Sequence, residues 1–285
     1  MPKTYNDLYL ATRTALKSAG VEAYALEARL LVAYAVGKTK EEFVRDLRLY
    51  PSDENEQKIR ALLQRRIAGE PLAYLIGEWE FHGLPITVTP DVLIPRMDTE
   101  LLVTTAKELL LGRKMDARIL DLCCGSGCIA CALGHELPAT KLVAVDISAN
   151  ALEIARENFA SNRLGSRAIC IQADATSSPP MSIGQFDMIV SNPPYIASAE
   201  IMTLDSSVRD YEPIWALDGG EDGYRFYKAI IKYWKSLLRP GGFLLFEVGE
   251  GQAATVKDML SSAGFRAVGS RLDTLNIERV VIGKM

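Results

Sequence analysis

Along the first 70 residues the apolar positions recur at intervals of three and four, the period of amphipathic helices. Thr4 or Asn6 can cap a first helix that ends near Gly20, and Val21 to Val36 carry a second apolar face. Thr39 and Glu42 have capping-box spacing, in which a hydroxyl and a carboxylate three residues on satisfy each other's backbone N–H groups. Asp53 with Glu56 opens a further helix, and Ile59, Leu62, Leu63 and Ile67 share one side of it until Gly69. The product is a small helical bundle without a catalytic motif.

From Gly77 to Val88 the period moves towards two, with a break at Gly83-Leu84-Pro85, which predicts a β-hairpin. Beyond Pro95 near-continuous apolar runs at 118–122, 141–146, 168–174, 186–191 and 243–248 alternate with helical patterns. Strands that are apolar all round need cover on both faces, so this part reads as a doubly wound, mostly parallel α/β sheet. Two last runs, 265–271 and 278–283, leave no room for a helix between them and must pair antiparallel, giving seven strands in all. The expected organisation is an all-α domain over 1–76, a hairpin linker over 77–95 and an α/β domain over 96–285.

Composition narrows the function classes. In 285 residues, 48% are hydrophobic and 24% charged, as in ordinary globular chains. The longest membrane-like stretch, Leu122 to Gly134, is 13 residues with three glycines, too short to span a bilayer. Asp7 and Arg13 interrupt the N-terminal apolar residues, so no signal peptide is read and a cytoplasmic location is expected. The net charge is −4, and residues 1–90 hold 12 basic and 12 acidic side chains, which argues against direct nucleic-acid binding. Cys128 and Cys131 have the CxxC spacing of a zinc site, just after Cys123-Cys124. In a buried helix they serve as small soft core residues, so no metal is expected.

Candidate chemistry gathers at two loops. RILDLCCGSGCIA runs strand, turn, helix, and Gly125 and Gly127 let a ligand approach the main chain at a helix N-terminus. Asp146 lies at the end of the next strand, where such folds hold a ribose diol. This loop alone admits a nicotinamide dinucleotide or S-adenosylmethionine. Asp121 favours the second, because a carboxylate there attracts an ammonium and repels a pyrophosphate. Asp174 ends the third strand and can accept from an adenine amino group, or simply cap a turn. In Ser191-Asn192-Pro193-Pro194-Tyr195, two prolines end the sheet ladder and leave a rigid acceptor surface. Asn192 Oδ1 and the Pro193 carbonyl can take the two hydrogens of a planar NH₂ group while the Tyr195 ring covers its face.

Asp121 to Gly127, Asp146 and NPPY together resemble a class I S-adenosylmethionine-dependent methyltransferase acting on amino groups. The segments RRIAGEPLAYLIGEWEF (65–81), VLIPRMDTE (92–100), SNPPYI (191–196) and YEPIWALDGGEDGYRFY (211–227) resemble the peptide chain release factor N5-glutamine methyltransferase family over nearly the whole chain. The resemblance implies an enzyme that methylates the side-chain amide of the glutamine in a release factor's Gly-Gly-Gln motif, and a monomer is expected. It implies catalysis by Asn192, Pro193, Pro194 and Tyr195. It implies cofactor binding by Asp121, Cys123, Cys124, Gly125, Ser126 and Gly127, and by Asp146, Ile147, Asp174, Ala175 and Asn192. The helical domain is then expected to dock the protein partner, and Glu247 is a candidate to take the final proton. Three departures stand out: Met97 where proline is usual, Cys123-Cys124 where Gly-Thr is common, and Ala175 where a larger side chain often packs on adenine. None is expected to touch the acceptor loop, and Ala175 is expected to leave adenine less covered.

Overall fold

The structure is a computed structural model and describes residues 3–111 and 116–285. The chain divides into two compact units, Met1–Gly77 with Ser206–Tyr211, and Glu78–Asp205 with Glu212–Met285. The hairpin therefore falls in the second unit.

The first unit is helical: α1 (Tyr5–Ser18), α2 (Tyr24–Ala35), α3 (Lys40–Arg45), α4 (Asp53–Ile67) and α5 (Leu72–Ile76). The Thr39–Glu42 capping box forms as its spacing requires, and of the two candidate caps of α1 it is Thr4 that caps, in a second box with Asp7. The fourth helix is capped by the Ser52 hydroxyl, which accepts from Asn55 N–H at 3.2 Å, and not by Asp53. The short α5, absent from the sequence reading, stops at Gly77, whose φ of 80° is left-handed. Leu16, Leu31, Val32, Phe43 and Ile59 are buried here, and Arg66 grips Glu27 with two guanidinium nitrogens.

In the second unit β1 (Glu78–Phe81) and β2 (Leu84–Thr87) form the hairpin. Its turn is His82-Gly83, both at positive φ of 51° and 75°, the two-residue geometry that matches strand twist. Leu84 and Pro85, expected as a break, belong to β2 instead, because a two-stranded ribbon has edges that tolerate a missing donor. There follow α6 (Thr99–Leu110), β3 (Arg118–Leu122), α7 (Cys128–Glu136), β4 (Lys141–Asp146), α8 (Ala149–Ser161), β5 (Ala168–Gln172) and β6 (Phe186–Ser191). After α9 (Ser206–Arg209), which lies in the first unit, come α10 (Arg225–Tyr233), β7 (Leu238–Glu247), α11 (Ala253–Ser262), β8 (Arg266–Leu272) and β9 (Glu278–Lys284).

The seven strands run in the order β5-β4-β3-β6-β7-β9-β8. β3 to β7 pair in parallel, and β9 is antiparallel to both of its neighbours. Strand order reverses between β3 and β6, which opens a crevice at their carboxyl ends. The sheet's inner residues, among them Leu120, Val145, Ile189, Leu244 and Phe246, are fully or almost fully buried, and Trp234 and Tyr227 close over them. Among the described residues no helix is long and apolar enough to cross a membrane.

Candidate active site

A cavity of about 380 Å³ opens at the carboxyl ends of β3, β4 and β6. The loop after β3 forms one wall. Cys123, Gly125 and Gly127 take positive φ of 59°, 51° and 73°, folding the backbone into a tight turn above the first N–H groups of α7. A Cβ on Gly127 would lie 2.8 Å from the Phe159 ring, so glycine lets α8 pack against the loop. At Gly125 a Cβ would meet nothing within 4 Å, which leaves room beside the main chain. Asn158 is buried and braces this wall: its Nδ2 donates to the Ser126 and Thr87 carbonyls at 2.9 and 3.0 Å, and its Oδ1 accepts from Thr87 N–H at 2.7 Å.

Three carboxylates at strand ends behave differently. Asp121 is completely buried and does not reach the cavity wall. Its Oδ2 accepts from Ala130 N–H at 3.2 Å, doing for α7 what the glycine N-cap cannot. Its Oδ1 has no partner, and burial pushes its pKa up to about 8. Asp146 lines the cavity and accepts from Gly125 N–H and Ser148 N–H, both at 2.9 Å. Burial raises its pKa in spite of those bonds. Asp174 also lines the cavity while capping its own turn, accepting from Thr176 N–H and hydroxyl at 2.7 Å. Burial would raise it, yet these bonds hold it below the usual carboxylate range.

Cys123, Cys124, Ser126, Ile147 and Ala175 complete this side of the wall. Burial pushes the Cys123 and Cys124 thiols well up, so they stay protonated and unreactive. The Ser191 hydroxyl, just before the NPPY bend, donates to the Leu122 carbonyl at 2.7 Å, which ties the two loops together one residue before Cys123. Ala175 is buried, with its carbonyl accepting from the Trp234 indole at 3.0 Å. Ile147 and Phe226 supply apolar surface on the same wall.

Opposite stand Asn192 and Pro194. The Asn192 Nδ2 donates to the Thr99 hydroxyl at 3.2 Å, so its amide group is held from the α6 side. Pro193 is buried, and neither it nor Tyr195 forms part of the cavity wall. The Tyr195 ring packs beside Gly249, and its carbonyl accepts from Gln252 Nε2 at 2.9 Å. Burial pushes its phenol up to about 12.

Several wall residues escaped the sequence reading: Arg96, Thr99, Ile214, Trp215, Arg225 and Phe226. They come from VLIPRMDTE and YEPIWALDGGEDGYRFY, and buried Glu212 ties the two segments together by accepting from Ile94 N–H at 3.1 Å and from the Arg96 guanidinium. A glutamate inside an apolar run, YEPI, was the available signal. The second segment is pinned to the bend in turn: Ile196 N–H donates to Leu217 and Gly219 N–H to Ile196, at 3.0 and 2.8 Å.

Such a site has the features of a nucleoside-bearing cationic cofactor's pocket: open space beside Gly125, carboxylates at the strand ends, and an orphaned buried oxygen on Asp121. Residues 97–206 match the methyltransferase small domain family, and residues 7–77 the PrmC N-terminal domain. The chain is similar to a release factor glutamine methyltransferase of Geobacter sulfurreducens, 40% identical over 274 residues that cover 96% of this chain and 94% of the relative. One from Bradyrhizobium diazoefficiens is 41% identical over 92% of this chain and 89% of its own. Among solved structures, the hMettl16 catalytic domain in complex with MAT2A 3'UTR hairpin 6 has a TM-score of 0.59 at 20% identity, over 78% of this chain and 81% of that one. A methyltransferase from Pyrococcus furiosus has a TM-score of 0.51 at 16% identity, over 80% and 97%. The last two are likenesses of fold.

Proposed function

The chain belongs to the release factor glutamine methyltransferase family, and on that premise we propose that it methylates the N5 amide nitrogen of the glutamine in a release factor's Gly-Gly-Gln motif. S-adenosylmethionine, when bound, supplies a methyl carbon made electrophilic by its sulfonium. The residues present suit it: the loop 123–127 gives close main-chain approach, Asp146 and Asp174 offer acceptors on the wall, and Asp121 behind it can ionise in response to a bound cation.

The acceptor is the difficult partner. An amide nitrogen shares its lone pair with the carbonyl and is a weak nucleophile. Methyl transfer would form one N–C bond as the cofactor's S–C bond breaks and would release one N–H proton to solvent, so the amide must be held with its nitrogen towards the methyl and one hydrogen free to leave. Asn192 Oδ1 accepts one hydrogen at the cavity wall, while Pro193, buried behind that wall, and Pro194 keep the bend stiff. Such positioning contributes about 7–11 kcal/mol. Tyr195 acts from behind by fixing the loop through Gln252.

The observation that supports this reading most is the Asn192 carboxamide, whose nitrogen is committed to Thr99 and whose oxygen is thereby left for a donor at the cavity. A site built from acceptors rejects a carboxylate by about 10⁴-fold. In this reading the helical unit docks the release factor, and the enzyme works in the cytoplasm as a monomer without touching nucleic acid. Purified release factor incubated with labelled cofactor should take the label on the motif glutamine, located by mass spectrometry, and a glutamate at that position should take none. Label elsewhere, in bare DNA, or on the glutamate variant would overturn the assignment.

A further inference from the structure

Behind the NPPY bend lies a second buried acid. β6 and β7 run parallel with Ser191 opposite Phe246, so the next residues, Asn192 and Glu247, leave the sheet edge side by side. Glu247 is 2% exposed. Thr99 and Asn192 are the polar side chains beside it that lower its pKa, and its Oε2 has no hydrogen-bond partner. Thr99, buried in the first turn of α6, accepts from Asn192 Nδ2 at 3.2 Å. Asn192, Thr99 and Glu247 thus form a contiguous polar cluster beneath the cavity wall.

A carboxamide is nearly symmetric in shape, so its neighbours alone decide which end faces the cavity. An ionised carboxylate accepts and never donates. The Thr99 hydroxyl has one proton, and while it gives that proton to Glu247 it can only accept from Asn192. The NH₂ end must then point inward and Oδ1 outward.

Resting on the function proposed above, we infer that Glu247 is a positioning residue that acts with Thr99 to hold the Asn192 carboxamide with its oxygen towards the acceptor nitrogen. The relay has a direction. A protonated Glu247 can donate to Thr99, which frees the hydroxyl to donate in turn, and the carboxamide then offers its oxygen inward and its NH₂ to the substrate. Facing Glu247 are Asp98 before α6, Arg279 of β9, Tyr195 after the bend, Tyr227 of α10 and Cys128 of α7. Burial raises the acid most, Thr99 lowers it, Asp98 raises it, and Arg279 and Asn192 lower it, leaving it at about 7. The ionised, locking form therefore gains population as pH rises through neutrality.

The test compares wild type, E247Q, T99V and T99S at saturating cofactor across about pH 5.5 to 9. It also follows the ¹⁵N side-chain resonances of Asn192 without substrate, identified by their loss in N192D. In the wild type kcat should climb with a midpoint near 7, and the Asn192 resonances should titrate with it. E247Q and T99V should lower kcat by about 10-fold to 100-fold and flatten the pH profile. Their affinity for S-adenosylhomocysteine should stay within about twofold of wild type, and their discrimination against a glutamate motif should shrink. T99S keeps the hydroxyl and should restore most of the rate. Wild-type kcat and pH midpoint in both E247Q and T99V would overturn the inference. So would Asn192 resonances that ignore pH, or a T99S variant as impaired as T99V. A wild type that transfers no methyl to release factor would instead strike the proposed function, and the substrate-free Asn192 titration would still decide the relay.

Discussion

Asp121 and Glu247 sit at the ends of β3 and β7, each with one oxygen unpartnered. They differ in what they face. Asp121 accepts from a helix N–H, a backbone group that cannot reorient. Glu247 lies beside the side chains of Thr99 and Asn192, which can. The first is therefore an acid held mostly protonated behind the glycine loop at neutral pH, which an arriving cation draws into its charged form. The second governs which way a neighbour points. Similar chemistry, set behind two loops of one cavity, yields an inducible charge in one place and a switchable orientation in the other.

The largest effect that separates them is the pH dependence of stability. Both acids have pKa values raised in the folded state, to about 8 and about 7, so the folded protein binds protons more tightly than the unfolded chain. Stability from such groups is fullest below their unfolded pKa values and is lost as pH rises through the folded ones. Without cofactor, denaturant midpoints should fall between about pH 5 and 8, with Glu247 contributing nothing further above about 7. D121N should remove the part that continues to about pH 8, a gain over wild type of roughly 3 to 5 kcal/mol at the alkaline end. An equal alkaline loss in D121N would mean that the charge is borne elsewhere.

The next test concerns how firmly each loop is held. Asn158 satisfies three main-chain groups, fixing the glycine loop to β2. Asn158→Ala leaves those buried groups unpaired and should cost about 2 to 4 kcal/mol by chemical denaturation. Gln252→Ala removes its donation to the Tyr195 carbonyl and the bonds it accepts from Gly249 N–H and the Tyr227 hydroxyl, and because that hydroxyl keeps the Glu247 carbonyl as a partner it should cost about 1 to 2 kcal/mol. Comparable losses would show that the bend is as rigidly braced as the glycine loop.

Cofactor binding sharpens the comparison further. A cation arriving near Asp121 favours its ionised form, so binding at pH 7 should release a proton. Calorimetry in buffers of different ionisation enthalpy should detect this release in wild type and find it reduced in D121N. Affinity for S-adenosylmethionine should fall about 10-fold to 100-fold in that variant, with kcat at saturation within a few-fold. A loss confined to kcat would place Asp121 with the acceptor machinery.

What the sequence made legible follows the reach of local physics. β3, β4 and β6 end where the apolar runs end, because buried parallel strands leave a continuous signature. β5 stops at Gln172, short of the expected 174, since Asp174 turns the chain by capping Thr176. β7 begins earlier than expected, at Leu238: Pro240-Gly241-Gly242 reads as a turn, but Gly241 and Gly242 pair with the chain end at Met285. At the site, Gly125, Asp146 and Asn192 could be read because their chemistry lies in consecutive residues of a strand and its turn. Arg96 and Glu212 meet across 116 positions, and Asn192 meets Thr99 across 93, distances at which no periodicity speaks. Asp121 was legible as an acid beside the loop but not as one sealed beneath it, because its orientation depends on the register of α7.

The smallest expected effect lies where the two regions touch. Cys123 adopts φ 59° in the turn after β3, a conformation that costs a side-chain-bearing residue about 1 to 2 kcal/mol, and it follows Leu122, whose carbonyl accepts from the Ser191 hydroxyl at the head of the acceptor bend at 2.7 Å. Replacing it outright confuses strain with lost contacts. Comparing Cys123→Gly with Cys123→Ala removes the thiol in both and varies only the Cβ. In an ordinary loop alanine is the more stable of the two, because glycine loses more freedom on folding. At this position the order should invert, with the glycine variant ahead by about 1 kcal/mol and about 2 to 4 °C in Tm. If alanine is the more stable, the turn relaxes without strain.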